Sequence, residues 1–146
     1  MTDGPMIGVV GLGTMGLGIA QVFAQAGFPV IGTDALPPAR ETAPGRMADA
    51  LAARVASGKL SETDRDATLG RFKVVTDLKD LAPCRMVVEA IVEKLEAKQG
   101  LFTTLEAHLA PDAVLATNTS SLPVHGVARG LAHPGRVLAL HFFNPP

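Results

Sequence analysis

Gly11-Leu12-Gly13-Thr14-Met15-Gly16 follows the apolar run Met6-Ile7-Gly8-Val9-Val10. It opens a stretch in which Met15, Ile19, Val22, Phe23 and Ala26 recur at helical spacing up to Gly27. A short apolar run ending in glycines reads as a buried parallel strand, and the helical period that follows reads as a helix with one apolar face. Val30 to Thr33 is a second apolar run, closed by Asp34. The chain up to Asp34 therefore predicts a strand, a glycine turn, a helix and a strand parallel to the first.

Each glycine in that turn has a physical use. The first permits a tight turn, the second lets backbone approach a pyrophosphate, and the third allows the helix to pack closely on the strand. The helix N-terminus adds unpaired N–H groups and positive dipole. Gly11, Leu12, Gly13, Thr14, Met15 and Gly16 thus form a candidate phosphate cradle. Asp34 stands where a carboxylate can accept hydrogen bonds from both hydroxyls of an adenosine ribose, and there it would repel a 2′-phosphate. The cofactor predicted is NAD rather than NADP. The plainer reading of both features is a strand–helix connector and a strand-end turn residue. Arg40 nearby reads as a solvated helix-start arginine.

Beyond Asp34 the same alternation continues. Ala35 to Gly70 is helical but irregular, punctuated by Pro37, Pro38 and Pro44-Gly45. Met47, Leu51 and Val55 give one helical face ending at Gly58, and Ser61 with Asp64 starts a further helix that ends near Gly70. Phe72 to Val75 and Met86 to Val92 read as strands. Leu95, Phe102, Leu105 and Leu109 mark a helix stopped by Pro111. Ala113 to Thr117 is a strand, a short helix begins near Pro123, and Val137 to Leu140 is the last strand. This order predicts one α/β domain over residues 1–146, a doubly wound, mostly parallel sheet of the Rossmann type.

Composition excludes several classes. The chain is 47% hydrophobic and 18% charged, which is globular rather than disordered. Its 13 basic and 14 acidic residues leave a net charge of −1, and no basic stripe offers itself to nucleic acid. The apolar stretches are short and broken by Gly and Pro, so no membrane span is expected. The first strand begins near Met6, leaving no room for a signal peptide, and Cys84 is the lone cysteine; together these indicate the cytoplasm. His108 lies near a helix C-terminus, and His125 and His133 fall in polar or turn segments. Cysteine and histidine are nowhere paired at metal-ligand spacing, so no metal is expected.

Three further strings carry chemistry: Val88-Glu89-Ala90-Ile91-Val92-Glu93, Asn118-Thr119-Ser120-Ser121-Leu122 and His141-Phe142-Phe143-Asn144-Pro145-Pro146. His141 follows the run Val137 to Leu140 and Ser120 follows Ala113 to Thr117, so both stand at carboxyl ends of strands, which line the ligand crevice of an open α/β sheet. A histidine is also the natural base for a hydroxyl proton at neutral pH. With the glycine turn, these strings resemble the N-terminal NAD-binding domain of 3-hydroxyacyl-CoA dehydrogenases, over Ile7 to Pro146. The resemblance implies reversible hydride transfer between an L-3-hydroxyacyl-CoA and NAD, giving a 3-oxoacyl-CoA. It makes His141 the general base, has Ser120 hydrogen-bond the substrate oxygen and has Asn144 fix and polarise the substrate, with Ser120 and Asn144 also bordering the cofactor. It places Glu93 and Lys98 against the nicotinamide half. Read singly, His141 could be structural, Ser120 and Ser121 helix caps, Asn144 a turn former, and Glu93 and Lys98 solvated charges.

The resemblance has two gaps. Family members carry a long regular helix after the second strand, with polar contacts to coenzyme A. Here Pro44-Gly45 is expected to interrupt it, and Ala50 and Ser57 occupy the aligned positions, with Lys59 as a nearby substitute. The resemblance also implies a C-terminal helical domain, absent from this chain, that closes the substrate cleft and carries dimer contacts, and a glutamate that orients the histidine. A homodimer is thus implied for a full-length protein, and little turnover for these 146 residues alone. Two other readings remain: an NAD-binding module without turnover, and a sugar-acid dehydrogenase or structural relative of the same superfamily.

Overall fold

Residues 4–119 and 122–140 are described in a computed structural model. Within them six apolar runs lie side by side: β1 (Ile7–Val10), β2 (Val30–Thr33), β3 (Phe72–Val74), β4 (Met86–Glu89), β5 (Val114–Asn118) and β6 (Val137–Leu140). They form one sheet in the order β3-β2-β1-β4-β5-β6, and every pairing is parallel. Parallel neighbours need crossover connections. These are supplied by α1 (Thr14–Gln25), α2 (Pro37–Ala56), α3 (Glu62–Arg71), α4 (Leu95–His108) and α5 (Val124–Val127), with 3-10 turns at Leu78–Leu81 and Pro134–Arg136. The doubly wound Rossmann-type sheet expected from the sequence is the fold observed.

Successive strand residues point to opposite faces, and both faces of β2, β1, β4 and β5 are covered. Ile7, Val9, Val30 and Val88 pack with residues of α1 and α2 such as Ile19 and Met47. Val10, Ile31, Val87 and Leu115 pack with Phe102 and Leu105 of α4 on the other side. The chain winds outward from β1 to β3, then returns to β4 beside β1. That reversal opens a crevice at the carboxyl ends of β1 and β4. Val10 is paired with Thr33 and with Glu89, and Glu89 with Thr117, so one row of residues crosses the sheet just below the crevice.

Two expectations about local structure are corrected. Pro44-Gly45 does not interrupt α2, which runs unbroken for 20 residues. Pro in a helix interior costs about 3 kcal/mol and Gly about 1. Opposing this, Ala43, Met47 and Leu51 are fully buried on the other face, and burial of a Met or Leu side chain is worth about 1.5–3 kcal/mol each. Pro44 and Gly45 are exposed, which leaves the missing hydrogen bond on the side that water reaches. The second correction is to β4, which ends at Glu89 rather than Val92 because the Glu89 carboxylate accepts the N–H of Ile91 at 2.9 Å and turns the backbone away.

The helix that opens the crevice is held close by the absence of side chains. Gly11 has φ of +103°, a conformation that favours glycine, and a Cβ on Gly16 would fall inside the carbonyl oxygen of Gly11. Gly16→Ala must therefore push α1 off β1. We expect destabilisation of about 1–3 kcal/mol or more, read as a lower denaturation midpoint in urea. A midpoint equal to that of the parent would contradict this packing.

Candidate dinucleotide-binding site

In the turn between β1 and α1, Leu12 is fixed at both its backbone N–H and its carbonyl. The N–H of Leu12 donates to Asp34 Oδ2 at 2.7 Å, and its carbonyl accepts from Arg46 Nη2 at 2.7 Å. Arg46 reaches in from α2, with further bonds to the Ala39 carbonyl and the Thr42 hydroxyl. Gly11 N–H donates to the Thr33 carbonyl, and the Leu12 side chain is buried against Gly32. The turn is thus a fastened element of the fold, with α1 starting at Thr14 directly behind it. No side chain caps α1, and its first turn contains no acid. Its N-terminal dipole accordingly has no carboxylate from its own helix against it.

Asp34 closes β2 beside this turn. Besides Leu12, it accepts the N–H of Leu36 at 2.9 Å through Oδ1. An ionised carboxylate offers about four acceptor positions, so the two remaining ones suit a pair of ribose hydroxyls. Arg40 donates to the backbone carbonyl of Asp34 at 2.8 Å. It is a brace on the strand end, which corrects its reading as a merely solvated arginine. A cavity of about 580 Å³ lies here, lined by Gly11, Gly13, Asp34, Leu36, Leu78 and Val92 among others. Its mostly apolar wall and single carboxylate match what an adenosine requires. These residues fit a dinucleotide with its pyrophosphate over Gly11–Thr14 and one ribose at Asp34.

On the other side of β1, the ends of β4 and β5 are tied by buried charges. Lys98 and Glu89 both have side chains 0% exposed, with Lys98 Nζ 2.7 Å from Glu89 Oε1. The same ammonium lies 3.0 Å from Glu93 Oε1 and 3.2 Å from the Asn118 carbonyl. Thr117 donates its hydroxyl to Glu89, and Thr119 donates to Glu93 Oε2 at 2.8 Å. Lys98 is therefore not a solvated charge at a helix start. It is internal, and Glu93, with 38% of its side chain exposed, is the member that reaches solvent. Glu89, Thr117 and Arg46 were not singled out by sequence. For Glu89 a signal existed: an acid closing an apolar strand needs a buried cation, and Lys98 lies on the next helix.

Ser120, His141 and Asn144 lie outside the described residues. Leu140, which precedes His141 in the chain, is paired with Asn118, two residues before Ser120. Cys84 is buried, and burial pushes its thiol up to about 11, where it is inert at neutral pH. Among the described residues no group of His, Cys, Asp and Glu could hold a metal ion, and no helix is long and apolar enough to cross a membrane.

Comparison with known proteins agrees with this geometry. Residues 6–146 match the family described as 3-hydroxyacyl-CoA dehydrogenase, NAD binding domain. The chain belongs to that family. It is 44% identical over 140 residues to a 3-hydroxybutyryl-CoA dehydrogenase of Mycobacterium tuberculosis, covering 95% of this chain and 49% of that protein. It is 41% identical to a 3-hydroxyadipyl-CoA dehydrogenase of Escherichia coli, covering 95% and 29%. A crystal structure of 3-hydroxybutyryl-CoA dehydrogenase from Escherichia coli superposes with a TM-score of 0.93 at 40% identity, over 97% of this chain and 30% of that one. This 3-hydroxyacyl-CoA dehydrogenase family domain thus spans half or less of the length of these relatives. NAD is the cofactor of the family's domain, and the site described here has the groups to hold it.

Two outcomes follow for this family member. A Cβ on Gly13 would meet nothing within 4 Å, so Gly13→Ala should leave the thermal midpoint near that of the parent. The added methyl would stand where backbone must approach pyrophosphate, and NADH affinity should fall by about tenfold or more. A variant that binds NADH normally would displace the pyrophosphate from this turn. Second, NADPH should bind about tenfold to a few hundredfold more weakly than NADH, from lost charged hydrogen bonds at Asp34. Fluorescence titration with both reads this directly, and equal affinities would remove Asp34 from the ribose.

Proposed function

We propose that this chain is the cofactor-binding and base-bearing half of an NAD-dependent dehydrogenase acting on L-3-hydroxyacyl-CoA. The observation that carries the reading is the β5–β6 register: pairing of Asn118 with Leu140 starts the segments containing Ser120 and His141 from adjacent strand ends. Both start beside the crevice that holds the glycine turn. Bound NAD would supply the hydride acceptor. His141 takes the hydroxyl proton in oxidation and returns it in reduction, Ser120 orients the substrate oxygen, and Asn144 fixes the substrate. Glu93 lines the nicotinamide side, and Lys98 acts there through Glu93. The substrate is a coenzyme A thioester; Ala50, Ser57 and Lys59 are exposed along and beyond the end of α2, and Ser57 and Lys59 carry the polar groups available to it. Homodimerisation and a second helical domain enter through the family resemblance, and a cytoplasmic location through the lone cysteine.

The base should matter to turnover and not to cofactor affinity. The 146-residue chain should bind NADH, and its oxidation of NADH with acetoacetyl-CoA should stay near background, because a cleft with one wall neither positions substrate nor excludes water. In the dehydrogenase that carries this domain, His141→Gln should lower turnover about 10²–10⁴-fold with NADH affinity unchanged. Absorbance at the nicotinamide band measures the rates. Near-normal turnover by His141→Gln would take His141 out of the mechanism, and robust turnover by the 146-residue chain would make this domain sufficient.

A further inference from the structure

We propose that Glu89 is a positioning residue for the nicotinamide half of the cofactor, acting through Lys98 on Glu93 and on the Asn118–Thr119 end of β5. The proposal rests on the reading of the crevice as a dinucleotide site.

The placement follows from strand order. β1 carries the turn for the pyrophosphate, and β2 on one side carries Asp34 for the adenosine ribose. A dinucleotide spans the switch point, so its other half lies over the ends of β4 and β5. Glu89 is the last residue of β4, paired with Val10 of β1 and Thr117 of β5. It has no exposed surface, so its own side chain is not a surface on which a ligand can rest. What it does touch is α4, β5 and the backbone that leaves β4. Its two oxygens take the Lys98 ammonium at 2.7 and 3.0 Å, the Thr117 hydroxyl, and the Ile91 N–H at 2.9 Å.

The consequence lies in how the ammonium is divided. Lys98 has three protons to donate; it hydrogen-bonds Glu89 and the Asn118 carbonyl and is ion-paired with Glu93 at 3.0 Å. With Glu89 holding the ammonium from below, what remains is directed at Glu93 and at the end of β5. Glu93 is thereby set in one place, with its other oxygen on the Thr119 hydroxyl. A buried ion pair is not a general stabilising device, since apolar residues of the same volume often serve as well. A pair that fixes the position of a third, partly exposed carboxylate has a use that apolar residues lack.

The test separates positioning from support by using two ligands. ADP-ribose has the adenosine and pyrophosphate of NADH and lacks the nicotinamide. Isothermal titration of the parent, Glu89→Gln and the double variant Glu89→Gln/Lys98→Gln is performed with both. Glu89→Gln should weaken NADH by about tenfold or more, as expected for a disturbed charged contact, with ADP-ribose changed by less than about twofold. The double variant, with no unpaired buried charge, should recover thermal stability over Glu89→Gln without recovering NADH affinity. Should Glu89→Gln fail to fold, the double variant decides by the same comparison of ligands. Equal weakening of both ligands would make the network a structural support only, and unchanged NADH affinity would remove Glu89 from the site. Either result overturns the proposal while leaving the dinucleotide reading intact. A parent that binds neither ligand would overturn the dinucleotide reading itself, and the proposal with it.

Discussion

Close contact between the start of α1 and the end of β1 is the constraint on which the rest of the site depends. It exists because Gly16 has no side chain to strike the Gly11 carbonyl and because Gly11 adopts positive φ. The turn between them could still move, and two charged groups prevent that. Asp34 takes the Leu12 N–H and Arg46 takes the Leu12 carbonyl, each a charged hydrogen bond of about 1.5–3 kcal/mol. The carboxylate belongs to the end of β2 and the guanidinium to α2, so one residue of the turn ties together three elements. A ligand arriving there meets a cradle whose shape is already fixed, and the ordering of that loop is not charged against binding.

The same logic operates with opposite materials across β1. There the crevice is set by charges taken wholly out of water, Glu89 and Lys98, instead of by glycines. Removing one partner of such a pair costs about 3–5 kcal/mol, because the other is stranded in an apolar interior. Val88 beside Glu89 on β4, and Leu115 and Ala116 on the adjacent β5, are buried as well, so little water is available to rescue it. The arrangement is rigid for that reason. One half of the crevice is thus shaped by what backbone can do without side chains, and the other by what a buried cation demands of its neighbours.

Most of the fold could be read from the chain because apolar period and glycine position act locally. β2 and β6 have the bounds that their apolar runs indicate, and Ser61 caps α3 by accepting the Asp64 N–H. The misreadings share one cause, a tertiary contact that local pattern does not contain. α2 passes through Pro44-Gly45 because Ala43, Met47 and Leu51 have a core to fill. β4 stops at Glu89 because its side chain captures the Ile91 backbone donor. Arg40 and Lys98 look solvated until their acceptors, the Asp34 carbonyl and a glutamate on a neighbouring strand, are known. Asp34 was legible from its spacing as the acid that closes β2 beside the glycine turn, whereas its role as a clasp on Leu12 depends on the β1–β2 register.

The central claim is that one crevice holds a dinucleotide across β1, with glycines and Asp34 on one side and the Glu89–Lys98–Glu93 cluster on the other. The most direct measurement is a crystal structure of this chain grown with NAD. The account predicts density with the adenosine ribose on Asp34, the pyrophosphate over Gly11–Thr14 and the nicotinamide on the Glu93 side of β1. A larger groove of about 650 Å³ runs between α1 and α2, lined by Arg46 and Arg54. Cofactor seated in that groove, or lying with its nicotinamide on the Asp34 side, would contradict the account.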